Sequence, residues 1–348
     1  MIEIGSRRIG PDVPPFIIAE LSGNHDGSLE KALATVDAVA ASGAQAMKLQ
    51  TYTADTMTLD IAEREFVIED PKSLWFGRNL HSLYHQAHTP WEWHAAIFRR
   101  ARERGLCAFS TPFDVSAVEF LESLQVPAYK IASFENQDLE LIRRVSRTGK
   151  PVIISTGLAT LGDIQEAVEA ARSAGCTQLV LLKCTSSYPA NPSDSNLRTI
   201  PYLRQLFGCE VGLSDHTLGS AVAITSVAQG ATVIEKHVTL DRDGGGVDAA
   251  FSMEPQELAG LVEATRTAWQ ALGCVQTGPT VQELPSLMFR RSLYVCSDLA
   301  AGDLLTQANL RAIRPGRGLA PKHLPALLGK RVNRPVPRGT PMSWDLIG

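Results

Sequence analysis

The chain has no paired-cysteine motif. Its six cysteines (Cys107, Cys176, Cys184, Cys209, Cys274 and Cys296) are scattered, with no CxxC among them. That pattern argues against a disulfide framework and a cysteine-based zinc site, and predicts a reduced, cytoplasmic protein. No apolar run reaches membrane-spanning length, and the opening residues MIEIGSRRIG lack the basic-then-apolar layout of a secretory signal. Positive charge is not in excess: 33 lysines and arginines face 37 aspartates and glutamates, a formal net charge of −4. A nucleic-acid or polyanion binder is thereby disfavoured, while local basic sites stay open. No strand candidate leads into a GxGxxG turn, which removes the usual dinucleotide cradle. An HxH pair or bridging carboxylate cluster, common in metal-dependent hydrolases, is also missing.

What the chain does have is a rhythm. Apolar runs at residues 16–21 (FIIAEL), 46–50 (AMKLQ), 107–111 (CAFST), 128–132 (AYKIA), 151–156 (PVIIST), 179–184 (LVLLKC), 211–213 (VGL) and 232–234 (TVI) read as strands. Each is followed by a helical stretch: 28–41, 91–104, 116–124, 139–148, 161–173, 198–207, 221–228 and 255–272. Eight such units predict an α/β fold, a (β/α)₈ barrel of the TIM type, over residues 1–278. The strands are nearly continuous apolar runs, as expected where both faces are covered. An open doubly wound sheet is the runner-up, disfavoured by the missing glycine turn. Residues 1–10 read as a short hairpin and are expected to plug the underside of the larger fold. Residues 279–288 read as a linker, and 289–348, with short strand candidates and the glycine-rich RPGRGLAP, as a small β-type domain. A domain of that size is marginal alone and is expected to pack on another surface.

Polar residues fall at the C-terminal strand ends: Glu20; Lys48 and Gln50; Ser110 and Thr111; Lys130 and Ser133; Ser155 and Thr156; Lys183 and Thr185; Ser214 and His216; Glu235 and His237. In a barrel these ends converge on one mouth, where active sites of this fold lie. His216 and His237 end consecutive strands, so two imidazoles are placed to share one divalent ion with open positions. A lone strand histidine more often serves structure; it is the pair, beside Asp215 and Glu235, that raises the metal reading to parity. Lys48 and Lys130 lie inside apolar runs and are expected to face inward and be paired. They suit either a Schiff-base aldolase or a clamp on an anion, and the hydroxyls at Thr111, Ser133, Ser155 and Ser214 favour the clamp. Glu20, followed by SGNHDG, is either a turn-edge carboxylate or a group that moves protons. Arg314 either caps a turn or reaches a neighbouring site.

The stretches IAELSGNHDGS, MKLQTYTADTMTLD, PWEWH, STPFD, YKIAS, ISTGLATL, KCTSSYP, GLSDHT and EKH resemble the sialic acid synthase family of phosphoenolpyruvate-condensing enzymes. The terminal FRRSLYV…RPGRGL…GTPMSWD resembles that family's antifreeze-like (SAF) domain, so the likeness runs essentially the whole chain. The block DPKSLWFGRNLHSLYHQAHTPWEWH, with TSSYP, is more similar to the pseudaminate branch than to the neuraminate branch.

The resemblance implies a transferase that joins phosphoenolpyruvate to the open-chain aldehyde of an acetamido sugar, giving a nonulosonic acid and phosphate. For the pseudaminate branch the sugar is 2,4-diacetamido-2,4,6-trideoxy-L-altrose; neuraminate and legionaminate synthesis are the alternatives within the family. It implies a manganese or magnesium ion on His216 and His237, and phosphoenolpyruvate held by Lys48, Thr111, Lys130, Ser133, Ser155, Ser186 and Ser214. Glu20 and Glu235 match its acid/base carboxylates. Gln50, Tyr188 and Asp248 match sugar contacts, and Arg314 matches an arginine offered to the other copy of a domain-swapped homodimer. Departures are Asp26 in a loop that usually reads GNHNG, Ser186 where the neuraminate branch has asparagine, and Phe76 where a small acidic residue is expected.

Overall fold

The computed structural model describes residues 2–348 and divides the chain into two compact units, Met1–Gly273 and Cys274–Gly348. The first unit begins with an antiparallel hairpin, β1 (Ile2–Ile4) and β2 (Arg7–Ile9), turned at Gly5, whose φ is +59°. Ile2, Ile4 and Ile9 are buried in the main core. The hairpin bonds to residues at the N-terminal ends of strands: Glu3 N donates to Gln178 Oε1 and Cys107 Sγ to Ile4 O. It closes the barrel floor, as its alternating apolar residues suggest.

Eight parallel strands follow: β3 (Phe16–Glu20), β4 (Ala46–Thr51), β5 (Cys107–Pro112), β6 (Tyr129–Ile131), β7 (Val152–Ser155), β8 (Leu179–Cys184), β9 (Glu210–Asp215) and β10 (Val233–His237). They pair in sequence order, and β10 returns to β3, closing the ring. The helices are α1 (Leu29–Ser42), α2 (Ala54–Met57), α3 (Leu80–Ala87), α4 (Trp91–Glu103), α5 (Val115–Ser123), α6 (Leu139–Ser146), α7 (Leu161–Ser173), α8 (Thr199–Phe207), α9 (Ala221–Ala228) and α10 (Pro255–Leu272). Their starts are written locally. Ser28, Asn79, Asp114, Asp138 and Thr160 accept hydrogen bonds from the first-turn amides of their helices. In α6 Leu141, Ile142 and Val145 face the strands, while Arg143 and Arg144 face away.

Two features bear on the site. Between β4 and β5 the chain makes a long excursion containing α2 and α3. Mid-strand Gly212 lies so close to β10 that a Cβ there would fall 2.1 Å from Val233 O. That glycine lets β9 approach the start of β10 closely, four residues before His216 and His237 along each chain segment.

In the second unit β11 (Ser292–Val295) pairs antiparallel with β12 (Leu310–Ile313), and the short α11 (Leu324–Leu327) packs on them. Its core gathers Leu293, Val295, Leu305, Leu310, Leu327, Val332 and Met342. A 3₁₀ segment, Val281–Phe289, occupies the stretch read as a linker. No helix among the described residues is long and apolar enough to cross a membrane.

Candidate active site

The strand register builds the site. β10 pairs with β3 so that His237 lies opposite Glu20, and β3 pairs with β4 so that Glu20 lies opposite Lys48. On the other side β10 pairs with β9, setting Glu235 opposite Ser214 and Lys236 opposite Asp215. Strand alternation then sends every second side chain inward. Lys48, Gln50, Lys130, Ser155, Ser214, His216, Glu235 and His237 line one cavity of about 320 Å³ at the C-terminal end of the barrel.

The same alternation corrects part of the sequence expectation. Polar residues end every strand, but about half of them do not enter the mouth. Ser110 bonds Thr51 Oγ1 at 2.6 Å, and Thr51 meets His94 Nε2 at 2.8 Å, in a cluster absent from the cavity lining. Thr156 bonds Leu182 O, and Lys183 bonds Cys184 O and Thr185 Oγ1. Asp215 and Lys236 form a fully buried ion pair at 3.1 Å. Adjacent residues on a strand point to opposite faces, so a run of two polar residues supplies only one to the site.

The cavity floor is a charged cluster. Lys48 Nζ lies 2.5 Å from Glu20 Oε2 and 3.8 Å from Glu235 Oε1, and Lys130 Nζ lies 3.7 Å from Glu235 Oε1. Lys48 also donates to Thr111 Oγ1 at 3.2 Å, and Ser214 Oγ donates to Glu235 Oε1 at 3.1 Å. Both lysines are therefore inward and paired. The two carboxyls are driven apart. Burial raises the Glu20 pKa and outweighs Lys48; burial also works upward on Glu235, but Lys130 and Lys48 together hold it below the usual carboxylate value. Glu20 Oε1 and Glu235 Oε2 have no hydrogen-bond partner. Burial pushes Lys130 down, against Glu235.

Along the wall, Ser133 Oγ accepts from Gly157 N at 3.1 Å. A Cβ on Gly157 would fall 2.2 Å from Ser186 Oγ and 2.6 Å from Ser133 Oγ, so the bare glycine brings those two hydroxyls to one place. Ser186 lies within 3.8 Å of Cys184 Sγ, which itself lines the cavity.

At the other end are the histidines. The rings of His216 and His237 have centroids 5.3 Å apart. His216 Nδ1 is 2.9 Å from Thr185 O; donating there leaves Nε2 with a free lone pair. His237 Nδ1 is buried with no hydrogen-bond partner, 3.8 Å from Asp248 Oδ2. Burial, with His216 and the nearby lysines, holds the His237 pKa well below the ordinary value, so it is a neutral imidazole. No cluster of three or more His, Cys, Asp or Glu side chains forms a ready cage among the described residues. Two imidazoles beside one carboxylate, with an orphaned buried nitrogen, nevertheless fit a divalent ion that keeps open positions.

Asp248 is anchored by Ser22 Oγ, which in turn accepts from Gln50 Nε2 at 3.3 Å. Tyr188 leans on His216 with ring centroids 4.5 Å apart. Gln50, Asp248 and Tyr188 thus share the cavity with the histidines. Arg314, exposed at the end of β12, belongs to the second unit and is not a lining residue. Asp26 is outside the lining and pairs with Lys31; Phe76 is 57% exposed and also outside it.

Among the lining residues not singled out from the sequence are Ser22, Trp75, Glu135 and Cys184. Glu135 sits in the turn after β6, two residues beyond Ser133. Burial pushes its carboxyl up to about 7 against Lys130, and its Oε2 has no partner. A carboxylate two residues past a strand-end serine was the available signal.

The sequence and the fold are shared with known proteins. A sequence model of the NeuB family matches residues 35–277, and one of the SAF domain matches residues 290–348. The pseudaminic acid synthase of Helicobacter pylori is 43% identical over 335 residues, covering 96% of this chain and 98% of that protein. The N,N'-diacetyllegionaminic acid synthase of Legionella pneumophila is 35% identical, covering 99% and 97%. Among solved structures, the N-acetylneuraminic acid synthetase of Leptospira borgpetersenii superposes with a TM-score of 0.73 at 33% identity, covering 82% of this chain and 94% of that one.

Proposed function

The chain belongs to the NeuB family, and from that premise we propose that it joins phosphoenolpyruvate to 2,4-diacetamido-2,4,6-trideoxy-L-altrose, giving pseudaminic acid and phosphate. The observation that carries this reading is the cavity floor, where two buried lysines converge on one carboxylate opposite a pair of imidazoles. An anion carrying both phosphate and carboxylate needs cations and hydroxyls arriving from several strands. Lys48, Lys130, Thr111, Ser133, Ser155, Ser186 and Ser214 supply them.

Holding phosphoenolpyruvate there fixes its C3 toward the aldehyde, and most of the lysines' benefit is positioning. When bound, a manganese or magnesium ion on His216 and His237, with Asp248 beside it, supplies Lewis-acid polarisation of the aldehyde oxygen. C3 forms the new bond to the aldehyde carbon, whose oxygen takes up a proton. Water adds at C2 and gives up one proton; the C2–O bond to phosphate then breaks with its electron pair leaving on phosphate, as the new C2 hydroxyl gives up its remaining proton and becomes the ketone. Glu235, whose pKa the two lysines hold below the usual value, has its free Oε2 to accept the water's proton; Glu20, whose pKa burial raises, is the matching donor. Tyr188, Gln50 and Asp248 orient the sugar. Arg314 serves the site of a second copy in a domain-swapped homodimer, which light scattering would show as twice the chain mass.

The test is phosphate release from phosphoenolpyruvate with a panel of acetamido sugars: the diacetamido-trideoxy altrose, its legionaminate-type mannose counterpart, and N-acetylmannosamine. The altrose derivative should react fastest, and silence with every sugar defeats the reading. A Schiff-base aldolase is favoured only by the lowered Lys130 pKa. Borohydride trapping of a carbonyl substrate on Lys130 would establish that alternative.

A further inference from the structure

The cavity has two chemically distinct walls. The floor and barrel side are charged or hydroxylic, as described above. The opposing wall comes from the excursion between β4 and β5, and its lining includes Met57, Ile68, Trp75, Leu80 and Leu83, joined by Val247 from the loop after β10. Aliphatic side chains of this kind normally seek the core. Here Met57, Ile68 and Leu80 are only partly buried, and none of the three belongs to the main hydrophobic cluster or packs against it.

The local backbone holds this wall in place. Ile68 N donates to Arg78 O at 2.9 Å and Gly77 N to Ile68 O at 2.8 Å, making a small loop pinned at both ends. Within it Leu74 and Phe76 are 48% and 57% exposed, while Trp75 between them is turned into the cavity. Trp75 Nε1 donates to Val247 O at 3.1 Å, which uses its one polar group. Its ring lies 5.9 Å from that of Tyr188, and Tyr188 lies 4.5 Å from His216. The apolar wall therefore begins one aromatic ring away from the imidazole end.

We propose that Ile68, Trp75 and Leu80, with Met57, are specificity-determining residues that select a hexose whose far carbons carry methyl-bearing substituents, acyl-capped amines and a deoxy terminus, over one that carries free hydroxyls there. The proposal rests on the acceptor reading given above. A sugar held with its aldehyde toward His216 and His237 directs its remaining carbons away from the floor. Methyl groups on those carbons gain apolar contact with the wall. A hydroxyl in the same place loses its water, and the wall offers little in exchange, since the side-chain polar groups the excursion brings to the lining are the committed Trp75 Nε1 and the Tyr52 and Tyr84 hydroxyls. Discrimination by an apolar surface is bounded: a methylene or a hydroxyl in such a pocket changes kcat/KM by roughly 10–200-fold. The selectivity of this wall should fall in that range.

The experiment measures kcat/KM for the 2,4-diacetamido-2,4,6-trideoxy altrose and for N-acetylmannosamine in the full chain, with its divalent ion, and in Ile68→Thr, Trp75→Ala and Trp75→Phe. Ile68→Thr keeps the branched shape and adds a hydroxyl. The expected result is that Ile68→Thr and Trp75→Ala each lower kcat/KM for the deoxy diacetamido sugar about tenfold. Both should narrow the ratio between the two sugars, with KM for phosphoenolpyruvate unchanged, and Trp75→Phe should retain most of the ratio. An unchanged ratio in Ile68→Thr and Trp75→Ala overturns the proposal while leaving the parent activity intact. A parallel loss with both sugars, or a raised KM for phosphoenolpyruvate, also overturns it, because the residues would then act through general structure. Failure of the unaltered chain to release phosphate with any acetamido sugar defeats the parent reading, and this one with it.

Discussion

Replacing Lys236 with methionine should be among the most damaging single changes in the barrel, although Lys236 touches no part of the cavity. Its ammonium is fully buried and donates to Asp215 Oδ2 at 3.1 Å, Thr217 O at 2.6 Å and Gly219 O at 3.2 Å. Asp215 Oδ1 is separately held by Thr217 N at 2.9 Å and Thr217 Oγ1 at 2.8 Å. Lys236→Met thus leaves a buried carboxylate with only one oxygen satisfied, plus two carbonyls without donors. Breaking a buried pair from one side costs about 3–5 kcal/mol. At roughly 2–4 °C per kcal/mol for a domain approaching this size, the melting midpoint should fall by about 10 °C. The pair also joins β9 and β10 at the residues immediately before His216 and His237, so manganese affinity, read by electron paramagnetic resonance of free ion, should fall as well. The assay is thermal melting by circular dichroism for Lys236→Met, Asp215→Asn and the double variant. The double variant should lose clearly less than the sum of the singles, because each single strands the other's partner. Strict additivity, or a single variant within about 1 kcal/mol of the parent, refutes the reasoning.

Gly212→Ala should destabilise the barrel by roughly 1–3 kcal/mol or more, since the added carbon meets the backbone oxygen of Val233 rather than a movable side chain; chemical denaturation measures it. Gly157→Ala should instead leave stability nearly intact and raise KM for phosphoenolpyruvate at least tenfold, by displacing the Ser133 and Ser186 hydroxyls, as steady-state phosphate release will report. Glu135, with its folded pKa raised to about 7, favours folding below its unfolded value near 4.3, and that contribution is lost as pH rises through 7. Glu135→Gln should therefore gain stability relative to the parent between pH 5 and 8, seen as a widening difference in melting midpoint; a pH-independent difference counts against it. Exhaustive chelation should abolish phosphate release and added manganese should restore it, whereas full activity after chelation removes the ion from the reading.

How much of the site was legible depended on which signal a residue carries. Lysines at positions 48 and 130 announced themselves because ammonium groups do not sit unpaired in apolar strands, and both prove to be paired inward. Ser110 and Lys183 looked equally promising in one dimension, yet their side chains bond outside the cavity. Deciding between neighbouring polar residues on one strand requires its register in the barrel, and a one-residue slip exchanges the two sets. Glu135 and Trp75 escaped notice for another reason. They lie in a turn and in an irregular excursion, where no periodicity says which way a side chain points.

By itself, then, the sequence determined the barrel, its eight-fold alternation, the hairpin beneath it and the strand ends that carry chemistry. Those follow from local forces: apolar periodicity, helix caps and glycine stops act within a few residues. Only the tertiary structure decided that Glu20 and Glu235 share Lys48 while Lys130 pairs with Glu235, that His237 keeps a free nitrogen beside Asp248, and that an apolar wall faces the charged floor. These are contacts between groups up to some 230 residues apart, such as Ser22 and Asp248 at a separation of 226. They exist because ring closure of the sheet brings the first strand against the last.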